Sequence, residues 1–305
     1  MPGGLVALLD DIAVLARLAA ASADDVAAAA GKAGSKTLGV VIDDAAVTPG
    51  YVVGLSPARE LPIIWKITLG SLRNKLLFIL PVALLLSAFA PWALTPILML
   101  GGLYLCFEGA EKVLHALQGD HAEEAVATIE DPAALEARQV GGAIRTDLIL
   151  SAEIMVITLN ELTGSPILTQ AGVLALVGAA VTIGVYGVVG LIVKMDDIGL
   201  HLARSGGAAA GFGRGLVKAM PLLLQTLSVV GTGAMLWVGG GILIHGFAQF
   251  GFTAPEHLIH ELAVGIGRGM GAIEWAITAL SGGLVGLAAG ALVVGALHLK
   301  PGATH

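Results

Sequence analysis

GGAIRTDLILSAEIMVITLNE, residues 141–161, decides how the chain folds. It is apolar over a membrane-spanning length, yet it carries Arg145, Asp147, Glu153 and Asn160. Charge inside a membrane segment is costly and is tolerated where the helix faces protein or water rather than lipid. The stretch therefore predicts a helix at the centre of a bundle. Asp147, Ser151 and Thr158 fall on one helical face, and Thr146, Glu153 and Asn160 on a second. Leu148, Met155 and Leu159 are left for lipid. Glu153 lies roughly 12 Å along the axis beyond Arg145, near the middle of a core about 30 Å thick if Arg145 marks a headgroup layer. Glu153 is thus the leading candidate carboxylate. The plainer alternative makes Arg145 and Asp147 a solvated helix end, and Glu153 a structural group bonded to a neighbouring helix.

Composition agrees with a membrane reading. Of 305 residues, 56% are hydrophobic and 13% charged, against about 25% charged in a soluble domain. The mean hydropathy is +0.88. The expected fold class is all-α, a polytopic transmembrane helix bundle. The 43 glycines suit close helix packing in lipid. A net charge of −7 offers no basic footprint for nucleic acid. Cys106 is the single cysteine, so no internal disulfide forms. The first residues lack a basic leader pattern, so no cleavable signal is expected.

Along the chain, residues 1–60 read as an amphipathic and alanine-rich cytoplasmic cap, and 61–305 as the transmembrane domain. Six membrane segments are expected at 76–90, 92–107, 147–163, 167–193, 220–247 and 273–299. A polar cytoplasmic loop covers 108–144, in which Glu108 and Lys112 are spaced as a helical pair. Pro81, Pro91 and Pro96 punctuate 76–107, and Gly239–Gly241 interrupts 220–247, so broken or re-entrant helices are expected there. Lys and Arg gather at 59–75, 112–145 and 194–218, while 161–168 has none. That asymmetry puts the amino terminus in the cytoplasm, and six segments put the carboxyl terminus there too.

The halves of the chain echo each other. Asp10-Asp11-Ile12 returns as Asp196-Asp197-Ile198, and Gly101-Gly102 before Glu108-Gly109 returns as Gly240-Gly241 before His245-Gly246. Such a two-fold repeat of interrupted segments is a transporter signature. The acidic pairs Asp10, Asp11, Asp196 and Asp197 mark it. His245, inside an apolar run, is a neutral core histidine or a proton relay. Glu256 with His260 and His257 with Glu261 read as a solvated interfacial helix rather than a metal site. The glycine-rich GFGRGLVK and GIGRGMG lack strand–turn–helix context, so no nucleotide site is expected. No catalytic arrangement, metal or cofactor is expected.

LLDDIAVLARLAA, ARELPIIWKITLGSLRNK, LSAFAPWALTPILMLGGLYLCFEGAEKVLH, GAIRTDLILSAEI, GVYGVVGLIVKMDDIG and VGGGILIHG resemble the bacterial YedI-type inner-membrane proteins, a domain of unknown function. The resemblance covers nearly the whole chain. It implies a multi-pass protein of the bacterial inner membrane and carries no activity or site residues with it. The leading expectation is a transporter or channel for a small solute or ion, with proton coupling and homo-oligomerisation open. Glu153, Asp147, Arg145, Asn160, Glu108 and His245 are the candidate transport or coupling residues. The alternative is a membrane scaffold whose amino-terminal cap recruits a cytoplasmic partner. An enzyme is not expected.

Overall fold

The computed structural model describes residues 23–34, 47, 57–118, 132–205 and 207–298. Among them every regular element is helical. In chain order these are α1 (23–34), α2 (Pro57–Arg73), α3 (Leu80–Phe89), α4 (Leu94–Gln118), α5 (Pro132–Asn160), α6 (Ile167–Arg204), α7 (Gly207–Gln249), α8 (Ala254–Gly267) and α9 (Gly271–His298). A π-helical segment, Asn74–Ile79, joins α2 to α3, and a 3-10 turn, Pro91–Ala93, leads into α4.

Five helical spans are long and apolar enough to cross a membrane: Arg59–Phe89, Pro91–Leu117, Ile167–Arg204, Ala209–Gln249 and Gly271–Leu297. The protein is an all-α polytopic membrane bundle. The helices outrun the expected segments at 76–90 and 92–107 because amphipathic flanks continue them. Each is thereby long enough for a full crossing, so no thin or re-entrant hairpin is required. Much of the expected 108–144 loop is likewise helix, in α4 and α5. With 29 residues α5 is long enough to span, but Arg145, Asp147 and Glu153 make it too polar to stand with the five.

The prolines act differently from one another. Pro91 follows a real break, with Ala90 at φ −148° and ψ 60°. Pro96 sits in the first turn of α4, where backbone N–H groups have no intrahelical partner to lose. Pro81 does not interrupt the rod. It has no N–H to give the Leu77 carbonyl, and the π segment ends just before it, where the wider turn takes up the misfit.

The centrality of α5 is visible in the core. Ala143 and Ile154 pack with α1, α2 and α6; Leu150 packs with α4 and α7; Met155 and Leu159 pack with α3 and α6. Met155 and Leu159 were expected to face lipid and are instead buried, because helices surround α5 on more sides than its pattern implies. Leu148 does stay exposed. The amino-terminal region also enters the bundle. Val26, Ala29, Ala30 and Ala33 of α1 pack into the α2–α6 core, and Val47 sits among Leu105, Leu150 and Met235. The described part of the expected cap is thus docked on the membrane helices rather than standing apart.

Glycines hold α4, α7 and α9 together. A Cβ at Gly239 would lie 2.6 Å from the Gly102 carbonyl, and Cβ atoms at Gly240 and Gly290 would overlap the carbonyls of Gly282 and Cys106. At each of these glycines a backbone carbonyl of the facing helix comes within the space a Cβ would take, so backbone approaches backbone, with Cys106 Sγ and the Ala110 Cβ beside it. The break expected at Gly239–Gly241 does not occur: α7 runs unbroken through it, and Gly239 instead packs closely on Gly102 of α4.

Candidate functional site

The most costly arrangement in the bundle lies where the π segment meets α5. Lys75 Nζ is 2.9 Å from Asp147 Oδ1, and the two side chains are 1% and 2% exposed. Lys75 also donates to Ser71 Oγ at 2.6 Å, one helical turn earlier. From α6, the Tyr186 hydroxyl donates to the same Asp147 oxygen at 3.0 Å. Three elements thus converge on one carboxylate. Gly178 of α6 makes room for the lysine stem. A Cβ there would sit 3.7 Å from Lys75 Cβ and 2.6 Å from the Met155 methyl.

Removing two charges from water costs several kcal/mol each, and the pair recovers that only with good geometry and further hydrogen bonds. Ser71 and Tyr186 supply two of them. Satisfaction is incomplete. Among the described residues no group hydrogen-bonds Asp147 Oδ2 or Ser151 Oγ, and both atoms are buried. Ser151 follows Asp147 by one turn on the same face, as the sequence spacing requires. The carboxylate therefore keeps an acceptor oxygen beside a buried hydroxyl. A π segment beside such a pair fits the general habit of π-bulges to mark functional positions.

An apolar layer caps the pair on one side. Ile79 and Ala83 follow Lys75 along the first rod, Met155 and Leu159 follow Asp147 along α5, and Leu174 precedes Gly178 on α6. Beyond the layer, at the end of α5, lies an open-mouthed cavity of about 350 Å³. Ser87, Asn160, Thr163, Ser165 and Gln170 line it. Asn160 stands about 20 Å from Asp147 along the axis, by rise per residue. Gly164, with φ +85°, closes the turn between α5 and α6 in a conformation that L side chains rarely adopt.

The remaining candidates are spread out. Glu153 is partly exposed on α5, with its Oε2 atom buried. Arg145 is exposed, with Nη1 3.5 Å from the Tyr104 hydroxyl. Glu108 lies against Lys112 at 3.3 Å and accepts from the Thr146 hydroxyl at 3.2 Å. His245 is not buried in its apolar run. It is exposed at the end of α7, with Nδ1 3.1 Å from Glu256 Oε1 and Nε2 3.0 Å from Gln249 Nε2. Asp197 takes Lys194 as a surface ion pair three residues away. Asp10 and Asp11 and the side chain of Asp196 lie outside the described residues. Among the described residues no cluster of metal-ligating side chains occurs.

A second ionic cluster ties the opposite end of α5 to α2. Glu136 receives Lys66 Nζ at 2.5 Å and Arg59 Nη2 at 2.6 Å, and its side chain is 7% exposed. The hydrogen bond from Lys66 holds its carboxyl below the usual range, and the charge of Arg59 adds to that. Both cations are more than half exposed, so this cluster is a surface clamp.

Sequence spacing found Asp147, Ser151 and the central helix. It missed Lys75 and Tyr186. Lys75 reads in sequence as one of the headgroup cations at 59–75, and Tyr186 as one more apolar position in GVYGVVG. The available signal was that Ser71 and Lys75 share a face of a helix that continues into an apolar run.

No curated protein matches the chain, and no solved structure matches it. A model of the family described as a protein of unknown function, DUF808, matches residues 3–296, and the chain belongs to that family.

Proposed function

We propose that this protein is a transporter or channel for a small solute or ion in a bacterial inner membrane, with its amino terminus on the cytoplasmic side. Its charged centre is the buried Lys75–Asp147 pair. The observation that carries the reading is a buried ion pair, incompletely hydrogen-bonded, inside a bundle of membrane-length helices. Intramembrane ionisable groups are functional by default because stability alone does not call for them. Glu153 gives way to Asp147 as the leading carboxylate, since Asp147 is the one three elements enclose.

In this reading the apolar layer of Met155, Leu159 and Leu174 separates the pair from the cavity. Parting the pair would leave Lys75 with Ser71 and alter the packing of the π segment against α5. That links charge at the pair to access through the layer. A two-fold repeat of the chain fits the meeting of Gly102 with Gly239. The scaffold alternative has less support, since α1 turns its apolar face onto the bundle. No enzymatic step is proposed.

The test is electrogenic and solute flux in proteoliposomes under an imposed pH gradient, screened over polyols, amides, amino acids and alkali cations. Wild type should support flux of at least one of these, and Lys75→Met/Asp147→Leu, folded by circular dichroism, should not. Flux equal in both, or in neither, would sink the reading.

A further inference from the structure

We infer that the cavity at the end of α5 is a binding site for a small, neutral, hydrogen-bonding solute such as a polyol or a primary amide. This deepens the transport reading and rests on it for the solute's onward passage, though the site stands on its own geometry. About 350 Å³ is at the small end of the ligand-cavity range of ~300–1,000 Å³, which limits the occupant to a small molecule.

The lining sets the chemistry. Asn160 brings an amide, Ser87, Thr163 and Ser165 bring hydroxyls, and Gln170 brings a second amide. Gln170 is held in place by donating its Nε2 to the carbonyls of Ser165 and Leu162, at 3.1 and 3.4 Å. Its Oε1 is the acceptor end of a fixed group. Thr163 is fixed too, donating to the Asn160 carbonyl at 2.8 Å. Neutral donors and acceptors thus converge from three helices and the Gly164 turn. The lining carries no ionisable side chain. An ion entering would lose hydration with no opposite charge to replace it. A phospholipid headgroup site at a membrane interface would carry Lys or Arg, and this one has neither. Leu84 and Leu159 form an apolar wall that suits the carbon face of a polyol. They also belong to or pack on the layer above the ion pair, so the solute would rest directly against the barrier to Asp147.

The experiment uses thiol protection. Cys106 is buried, so the full-length protein offers little background. Ser165→Cys places a thiol in the lining. Its labelling by N-ethylmaleimide in detergent is followed with erythritol, urea, acetate or glycine betaine at equal concentrations. Erythritol or urea should slow labelling by about two-fold at half-occupancy, and acetate and betaine should not. Asn160→Leu, and independently Ser87→Ala, added to Ser165→Cys should remove the protection while leaving unprotected labelling unchanged. Equal or better protection by a charged probe, protection by none, or protection that survives both substitutions would overturn the site. Liposome uptake of the protecting probe is scored separately. Protection without uptake would keep the site and remove the transport reading. Uptake stopped by Asp147→Asn, without protection, would do the reverse.

Discussion

Splitting the Lys75–Asp147 pair should cost far more than removing it. At 2.9 Å, with an effective dielectric near 20, the attraction is about 6 kcal/mol. Lys75→Met leaves the Asp147 carboxylate with Tyr186 alone, and Asp147→Leu leaves an ammonium with Ser71 alone. Each single change strands a buried charge and should destabilise by about 3–5 kcal/mol. The double variant strands none and replaces the pair with apolar groups of similar volume. It should lie near wild-type stability or above it by about 1–4 kcal/mol. The cycle's coupling energy should then be at least about 6 kcal/mol, with the Coulomb attraction at the lower end of that range. Reversible unfolding in mixed detergent–SDS micelles, followed by circular dichroism, gives all four free energies. Single variants that each lose under about 1 kcal/mol, and add, would mean the pair is hydrated, and the reasoning about a dry ionic centre would fail.

Other expectations follow from geometry. Gly240→Ala should force α7 from α9 and cost about 1–3 kcal/mol, while Gly241→Ala, with open space at its Cβ, should be near neutral in the same unfolding assay. Glu153→Gln should leave liposome flux within about two-fold of wild type where Asp147→Asn abolishes it, since the buried ion pair is made by Asp147 and not by Glu153; the opposite ranking would return Glu153 to the centre. Because the folded Glu136 carboxyl is held low, its clamp should stabilise fully above the unfolded carboxylate range and fade as pH falls through the folded value. The stability gap between wild type and Glu136→Gln, measured against pH, should therefore close in acid; a gap that widens there would contradict the sign. A cysteine at Gly164 should react with an impermeant thiol reagent from outside whole cells and one at Ala125 should not; the reverse labelling would invert the proposed orientation.

The helical class and the central place of α5 were legible because charge at fixed spacing in an apolar helix leaves few places for it. Ala90–Pro91 was legible as a break for the same local reason, since proline disfavours a helical conformation at the residue before it, here Ala90 at φ −148° and ψ 60°. Lys75 was not legible, because its role depends on a residue 72 positions away and its neighbours imitate a headgroup flank. His245 misled in the opposite direction. Its apolar neighbours promised burial, but burial depends on which helix covers that face, and the ring stays exposed beside Glu256 and Gln249. Helix lengths were underestimated where amphipathic flanks carry on the rod past the apolar stretch, as in α4 and α7.

The polarity of α5 bears on how the chain enters the membrane. Each Arg, Asp or Lys at a helix centre opposes insertion by about 2.5–3.5 kcal/mol, so α5 alone does not partition into lipid. Its carboxylate becomes tolerable when an ammonium is already waiting there. Lys75 leaves the ribosome before Asp147, on a rod that also carries a charge needing a partner. The rod carrying Lys75 is apolar enough to cross by itself, but α5 is not. The two must find each other at the translocon exit, before lipid closes around α5, and biogenesis of this protein is consequently a joint event spanning α2 to α5.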